Sequence, residues 1–428
     1  MLRRARYRHH YIFSHDYNGS MHLHACMLLG FRYGRAMRVV PQIEIASYIT
    51  HFGHRVTWIL PSEENDEFQE RPYQKIRLFV IPCRFKTGVM HPLSKALYAV
   101  RIVRFVLQNA RTENYSLIFV RDGTFNGLLA LYIKRRHHIP LVFEMSNPIE
   151  QRALIHRTYS RFPHLRAVTG ILDRHLTMHI LRSADLVLPT TTWMADDFAA
   201  KGIEREKMLP YPNGVDLERF SRGAGERIRA EHCLDGQAVF VYVGTMDQER
   251  DLTILIRSFA RVQRQIASAR LLMVGDGTDR GRLEECACDL GVDGGIVFTG
   301  RVRPEEIPDY IDAANAGVSI IPPLDVYKLS SPIKMLEYMA MGRPVVANEE
   351  IPEQKEAVDA SCGGVLVKYD PESIAAGMLR VCEDTVRAGE MGERGRAWVV
   401  KNRSYEAMAR RLEERYLDLK KESAAFPD

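Results

Sequence analysis

Short apolar segments alternate with longer amphipathic segments over the second half of the chain. Six apolar runs, most of them closed by Gly or Pro, are typical of buried parallel strands. They lie at residues 240–244, 271–277, 296–300, 316–321, 344–347 and 364–367. Between the first two runs, apolar residues recur at helical spacing from Leu252 to Ala260, so one face of a helix packs on a sheet. Six strands alternating with helices predict a doubly wound α/β domain.

The first half of the chain repeats this alternation. Strands are predicted at residues 10–14, 53–60, 116–120, 139–145 and 184–189, with helices over 41–52 and 128–134. We therefore expect two Rossmann-like domains. Their predicted bounds are 1–221 and 236–404, joined by a polar linker over 222–235 and followed by an apolar-striped helix over 405–428.

One helix of the second half carries charged residues within an apolar sequence. Pro332 is a favourable first helical residue and Ser331 a natural N-cap, so the helix should begin there. Lys334 in the first turn opposes the helix dipole, which a bound phosphate would explain. Glu337 lies one turn later among apolar residues, where sugar hydroxyls would satisfy its carboxylate. The alternative is a surface helix with an i, i+3 ion pair between Lys334 and Glu337.

The predicted strands end in small or polar residues that share one edge of the sheet. Since ligands of doubly wound sheets bind beyond the carboxyl ends of the strands, these residues predict a single crevice. They are Gly244, Gly275, Gly277, Gly300 and the turn at Ser330 and Ser331.

Four segments, in this order and spacing, resemble the donor-binding half of retaining glycosyltransferases of family four, which have the GT-B fold. The segments are residues 241–262, 271–277, 297–315 and 330–347. The resemblance implies two Rossmann-like domains facing a cleft, with the C-terminal helix crossing back to the first domain. It also implies sugar transfer from a nucleotide-diphosphate sugar to a glycan or lipid-linked acceptor, with no metal and no further cofactor.

The resemblance also assigns roles to individual residues. Arg250 and Lys334 would contact the donor diphosphate, and Glu337 would hold the ribose, so these three form the catalytic set. The base would lie at the turn around Arg301 and Val302. The donor-binding set is Gly34, Gly244, Arg250, Gly275, Arg301, Val302, Ser330, Ser331, Ile333, Lys334 and Glu337.

The chain departs from the family pattern at two places. Leu329 occupies the position of the first Glu of the family's paired-Glu motif, and Ser330 and Ser331 are the expected substitutes. Ser146 stands where many relatives carry a His on the acceptor side. The other acceptor-side candidates are Arg121, Asp122 and Asn147, although each alone is more often structural.

Composition limits the remaining possibilities. Seven cysteines without paired spacing predict a reducing compartment, hence the cytoplasm, and no zinc site. The net charge of +5 is modest, and no reader motif suggests nucleic acid binding. The basic, apolar segment 91–111 suits peripheral contact with the inner face of a membrane, or a core helix with snorkelling arginines.

Three function classes remain open from the sequence. The first is a retaining sugar transferase in which the leaving diphosphate is stabilised by Arg250, Lys334 and helix amides. The second is a nucleotide-sugar binding protein without turnover, which the missing Glu and His favour. The third is a nicotinamide oxidoreductase, suggested by the glycines of residues 275–281, whose spacing differs from the dinucleotide fingerprint.

Overall fold

The computed structural model describes residues 23–28, 40–62, 68–82, 91–146, 163–221 and 223–425. In the first unit, seven strands form one sheet in the order β3-β4-β2-β1-β5-β6-β7. All neighbours are parallel except β3, which pairs antiparallel with β4 at the edge, where Pro72 needs no ladder partner. The strands are β1 His24–Leu28, β2 Arg55–Ser62, β3 Gln69–Tyr73, β4 Ile76–Pro82, β5 Leu117–Arg121, β6 Leu141–Met145 and β7 Leu186–Pro189.

Helices cover both faces of this sheet. They are α1 Pro41–Tyr48, α2 His91–Thr112, α3 Thr124–His137, α4 Pro163–Ser183 and α5 Thr192–Ala200. Helices α2 to α5 share one apolar core with one face of the sheet, and α1 packs on the opposite face. Side chains buried on alternate faces, such as Met27 and Leu28, explain why these strands are apolar along their whole length.

The second unit contains an all-parallel sheet in the order β10-β9-β8-β11-β12-β13. Its strands are β8 Val239–Val243, β9 Arg270–Val274, β10 Ile296–Gly300, β11 Ala316–Ser319, β12 Val345–Asn348 and β13 Gly364–Val367. Its helices are α6 Gly225–Glu231, α7 Thr253–Gln265, α8 Arg280–Asp289, α9 Ile307–Ala313, α10 Asp325–Lys328, α11 Ile333–Ala340, α12 Pro352–Ser361, α13 Pro371–Glu383 and α14 Thr385–Asn402. The predicted strands of this half are confirmed.

The last helix, α15 Tyr405–Ala425, returns to the first unit. Met408, Leu412 and Tyr416 are buried in the core that α1 shares with the first sheet. The Tyr405 hydroxyl donates to the Glu44 carboxylate at 3.0 Å. The two Rossmann-like units and the returning helix confirm the predicted fold class.

Two expectations of the sequence differ from the structure or lie beyond it. Segment 222–235 is not only a polar linker, because helix α6 lies within it and packs on α9. This part of the chain packs because two of its apolar residues, Ile228 and Leu234, are fully buried in the second unit's core. The strand predicted at 10–14 lies outside the described residues, and β1 is the first strand described. The exact domain bounds stay a prediction.

Candidate active site

Three glycines meet where adjacent strands of the second sheet end. The Gly244 amide donates to the Val274 carbonyl at 2.9 Å, and the Gly275 amide donates to the Gly300 carbonyl at 3.1 Å. A Cβ on Gly275 would collide with the Gly244 carbonyl, and one on Gly244 would lie 3.0 Å from the Lys334 Nζ. The two glycines therefore allow the strand-end turns to pack against each other and leave room for the Lys334 ammonium, and the backbone at this edge is bare of side chains.

The Lys334 ammonium faces this bare backbone from the first turn of α11. Its Nζ lies 3.9 Å from the centroid of the Tyr242 ring. Among the residues that the structure describes, no carboxylate forms an ion pair with Lys334, so the surface pair with Glu337 is not what the structure shows. Burial and the nearby Arg250 lower the pKa of Lys334 to about 7, against the opposing effect of Glu337.

Arg250 adds a second cation to the same edge. It ends a short 3-10 helix after β8, and its guanidinium carbon lies 5.0 Å from the centroid of the Tyr327 ring. The Tyr327 carbonyl accepts the Ser330 hydroxyl at 2.6 Å, so Ser330 is tied to its own turn. Two cations beside aromatic rings repel each other, and an anion between them would relieve this repulsion.

Glu337 lies one turn along α11 from Lys334, between the buried side chains of Leu336 and Tyr338. Burial raises the pKa of Glu337 to about 7, although the positive charges of Arg219 and Lys334 oppose the rise. Part of Glu337 still reaches the surface. Hydrogen-bond donors of a ligand would stabilise the ionised form of this carboxylate.

A chain of buried polar groups links this turn to the first unit. The Asn213 side-chain amide donates to the Ser331 carbonyl at 2.6 Å, and the Asn213 backbone amide donates to the Ser331 hydroxyl at 3.0 Å. Gln42 on α1 donates to the Asn213 side chain. Ser331 in turn contacts Glu353, which forms a 2.7 Å ion pair with Arg403.

These hydrogen bonds correct the role predicted for Ser331. Pro332 occupies the N-cap position of α11, and its side chain makes no capping hydrogen bond. The Ser331 hydroxyl is instead bonded to Asn213 and lies in the joint between the two units. Among the residues that the structure describes, no side chain bonds to the first amides of α11, so these amides could bind an anion.

The turn after β10 lies at the other side of the crevice. Gly300 has a φ of +72°, which favours glycine. Arg301 is exposed, and Val302 packs against the core that includes Met335 and Leu336 of α11. Ile333, the first residue of α11, is partly buried. The structure thus gathers the predicted donor-side residues that it describes around one edge, while Gly34 lies outside the described residues.

The acceptor-side candidates at the ends of β5 and β6 are bonded to one another. The Ser146 amide and hydroxyl both donate to the Asp122 carboxylate, the first at 2.9 Å. Arg121 forms a 2.8 Å ion pair with Glu144. Burial raises the pKa of Glu144 to about 8, although Arg121 opposes the rise. Asn147 lies outside the described residues.

Several residues of the site were not singled out from the sequence. Arg219 lies just before the predicted end of the first domain at residue 221, yet its charge reaches Glu337. Tyr242 and Tyr327 support the two cations through their rings. An aromatic residue at a strand end was the signal for Tyr242, whereas nothing local pointed to Tyr327.

The arrangement is suited to binding a diphosphate. It combines two cations, bare backbone at three strand ends and the amino terminus of a helix. In the described part of the chain, no three His, Cys, Asp or Glu side chains are grouped so that they could hold a metal ion. The cations and amides of this edge could stabilise the negative charge of a diphosphate.

Comparison with known families divides the chain into two matched parts. Residues 43–214 match the family model described as glycosyl transferase 4-like domain. Residues 237–384 match the model described as glycosyl transferases group 1. The first match covers the unit with the acceptor-side candidates, and the second covers the glycine edge and α11.

The curated relatives include a mannosyltransferase and a glycolipid synthase. The chain is 30% identical over 239 residues to the GDP-mannose-dependent alpha-(1-6)-phosphatidylinositol monomannoside mannosyltransferase of Mycolicibacterium smegmatis, covering 54% of this chain and 62% of that relative. It is 23% identical over 380 residues to the alpha-monoglucosyldiacylglycerol synthase of Streptococcus pneumoniae, covering 86% of this chain and 79% of that relative.

Solved structures share the fold. Anabaena Alr3699/HepE in complex with UDP matches with a TM-score of 0.66 at 14% identity, covering 92% of this chain and 99% of that one. Sucrose-phosphate synthase of Thermosynechococcus elongatus matches with a TM-score of 0.68 at 19% identity, covering 92% of this chain and 98% of that one. Together, the glycine edge, the returning helix and the two matched halves show that this chain belongs to the family 4 glycosyltransferases with the GT-B fold.

Proposed function

We propose that this protein transfers a sugar, with retention of configuration, from a nucleotide-diphosphate sugar to a glycan or lipid-linked acceptor. One observation carries the proposal. The Lys334 ammonium lies beside Arg250 at the uncapped amino terminus of α11, and no carboxylate in the described residues pairs with it. A cation in such a place destabilises the empty protein, and a diphosphate is the ligand that would reverse this cost.

The same groups suit the chemical step. As the glycosidic bond to the leaving diphosphate breaks, negative charge grows on its oxygens, where Lys334, Arg250 and the α11 amides would stabilise it. Glu337 would hold the ribose through charge-assisted hydrogen bonds. With Asp122 already bonded to Ser146, we propose a same-face displacement in which the leaving phosphate helps to accept the acceptor's proton.

Two relatives support a lipid-linked acceptor. Their names specify a phosphatidylinositol mannoside and a glucosyldiacylglycerol, both of which are lipids. We extend this acceptor class to the present chain and place the enzyme at the cytoplasmic side of a membrane, with helix α2 near the lipid surface. No helix in the described part of the chain is both long and apolar enough to cross a bilayer.

Transfer can be tested with radiolabelled UDP-glucose and GDP-mannose and a total lipid extract as acceptor. The proposal predicts label in the organic phase with the wild type and loss of that label in Lys334→Met. Arg387→Gln, an exposed change on α14, serves as the control. Saturable binding of either donor without transfer or hydrolysis would favour a nucleotide-sugar binding protein, and tight binding of NAD alone would favour an oxidoreductase.

A further inference from the structure

The turn at residues 329–331, which lies between α10 and α11 of the second unit, is held by side chains of the first unit. The Thr191 hydroxyl, at the start of α5, donates to the Leu329 carbonyl at 3.2 Å. The Asn213 side-chain amide donates to the Ser331 carbonyl at 2.6 Å. The Leu329 side chain also packs against the core of the first unit. Both ends of this turn therefore depend on the first unit for their position.

These contacts are shielded from solvent. Thr191, Asn213 and Ser331 are 1%, 8% and 7% exposed. A buried carbonyl that loses its hydrogen-bond partner destabilises the structure, because water does not readily replace the partner there. The two hydrogen bonds thus favour one position of the turn.

Asn213 is itself held where the two connections between the units meet. Gln42 of α1 donates to the Asn213 side-chain oxygen, which turns the amide nitrogen towards the turn. The next residue is Gly214, where a Cβ would lie 2.8 Å from the Arg403 carbonyl. The Val215 amide donates to that same carbonyl at 2.9 Å. The backbone on which Asn213 lies is therefore packed against the connection between α14 and α15.

Both cations of the glycine edge lie next to the turn. On one side, the Tyr327 carbonyl accepts the Ser330 hydroxyl at 2.6 Å, and the Tyr327 ring lies 5.0 Å from the Arg250 guanidinium carbon. On the other side, Pro332 follows the turn directly with a φ of −72°, and Lys334 comes two residues later. A displaced turn would consequently displace both the ring beside Arg250 and the first turn of α11.

We propose that Thr191 and Asn213 are positioning residues for the diphosphate site. From the first unit they fix the turn at 329–331, and through this turn they set the spacing of Arg250 and Lys334. The spacing matters because the attraction between a cation and a phosphate depends on their distance, and preorganised charges need no rearrangement on binding. The inference rests on the proposed function, in which a diphosphate lies between the two cations. Neither positioning residue has to contact the ligand.

A purely structural role is the alternative. In that case Thr191 and Asn213 stabilise the joint between the units, and their replacement lowers the melting temperature without changing the anion affinity of the folded protein. The two roles are therefore distinguished by ligand binding, measured well below the melting temperature of each variant. Inorganic pyrophosphate is the probe, because it supplies the diphosphate without a base, a ribose or a sugar.

Calorimetric titration of the full chain with pyrophosphate tests the inference. Loss of one neutral hydrogen bond changes the population of the favoured turn by roughly two- to tenfold, and affinity falls in proportion. Thr191→Val and Asn213→Ala should each weaken pyrophosphate binding by this factor. The double variant should weaken it by roughly five- to a hundredfold. Thr191→Ser keeps the hydroxyl and should bind like the wild type.

Two control variants remove comparable contacts elsewhere. Asn315→Ala removes a side-chain oxygen that accepts the Val239 amide at 2.8 Å, at the end of β8 opposite the glycine edge. Asp384→Ala removes the N-cap of α14, as Thr191→Val removes the N-cap of α5. Both controls should lower the melting temperature, and neither should change pyrophosphate binding.

Amide hydrogen exchange of the ligand-free chain provides a second readout. Asn213→Ala and Thr191→Val should accelerate exchange in peptides covering 329–340, with exchange in β8 and β9 unchanged. The inference is overturned if the folded double variant binds pyrophosphate like the wild type, if the wild type binds none, or if the controls weaken binding equally. If Asn213→Ala does not fold, Thr191→Val measured against Thr191→Ser decides between the two roles.

Failure of the inference is separable from failure of the proposed function. Pyrophosphate binding that weakens as expected, without transfer from any sugar nucleotide, would refute the transferase and leave the positioning role intact. Sugar transfer by the wild type, with the same pyrophosphate affinity in the wild type and the double variant, would overturn the positioning role and leave the transferase.

Discussion

Replacing Lys334 by Met should leave the stability of the ligand-free protein unchanged or raise it. The same change should remove most of the affinity for the donor. Methionine keeps much of the length and apolar character of the lysine side chain, so contact with the Tyr242 ring survives. What disappears is a cation that has no carboxylate partner in the described structure and that lies near Arg250. The variant therefore separates the effect of this charge on the stability of the ligand-free protein from its effect on donor binding.

The magnitude follows from the lowered pKa. Burial moves the pKa of Lys334 from 10.5 to about 7, and each pH unit corresponds to about 1.4 kcal/mol. The upper limit of the cost is thus about 5 kcal/mol, reduced by water that reaches the partly exposed side chain. In the complex, loss of one charge-stabilising group should cost about 2 to 4 kcal/mol, or roughly 30- to 1,000-fold in affinity or turnover.

The pH dependence of stability shows independently that the Lys334 charge destabilises the ligand-free protein. The unfolded chain keeps the Lys334 proton up to pH 10.5, whereas the folded chain releases it near pH 7. The destabilisation is therefore fully present below pH 7 and fades as the pH rises from 7 to 10.5. Binding a diphosphate raises the pKa of Lys334, so donor affinity should fall above pH 7, by at most tenfold per pH unit.

Two measurements check these statements together. Thermal unfolding without ligand should give a melting temperature for Lys334→Met that is equal to or above that of the wild type. Calorimetric titration with the nucleotide sugar from pH 6 to 9 should show the alkaline loss of affinity in the wild type and not in the variant. A lower melting temperature with unchanged donor affinity would refute the reasoning, since Lys334 would then be structural.

Three further predictions follow from the same structure. Glu337→Gln should weaken nucleotide binding by about 1.5 to 3 kcal/mol. It should also remove the loss of affinity that is expected in the wild type below pH 7, where the carboxyl group of the free protein takes up a proton. Calorimetry across pH 5 to 8 checks both statements. Arg403→Met should destabilise the fold by about 3 to 5 kcal/mol in urea unfolding, because it strands the buried Glu353 carboxylate, and Arg403→Met/Glu353→Gln should recover most of this loss. Deleting residues 404–428 should expose β1, β2 and α1 to hydrogen exchange, because Leu412 and Tyr416 each contribute about 1.5 to 3 kcal/mol of burial to that core; unchanged protection there would contradict the crossover.

The second unit was predictable because its information is local. Each strand is a short apolar run, and Gly244, Gly275 and Gly300, which close three of these runs, meet because parallel strands end at one edge. Lys334 and Glu337 could be assigned because a cation in a first helical turn and a carboxylate in an apolar helix each call for a partner. These features depend on residues within a few positions of one another.

The joint between the units could not be predicted in the same way. Asn213 and Ser331 are 118 positions apart, and Glu353 and Arg403 are 50 apart, so no local pattern links them. Ser331 has the residue type of an N-cap, yet tertiary contact with Asn213 takes its hydroxyl away from the helix. Segment 222–235 appeared polar because only two of its apolar residues, Ile228 and Leu234, carry the packing of α6.

The central claim is that the glycine edge and α11 hold a nucleotide-diphosphate sugar. Calorimetric titration of the wild type with UDP-glucose, GDP-mannose and NAD tests it most directly, with Lys334→Met as the matched variant. The account predicts saturable binding of one nucleotide sugar at a single site, weakened at least about 30-fold in Lys334→Met, and no comparable binding of NAD. Equal affinity of wild type and variant for the sugar nucleotide, or tighter binding of NAD, would contradict it.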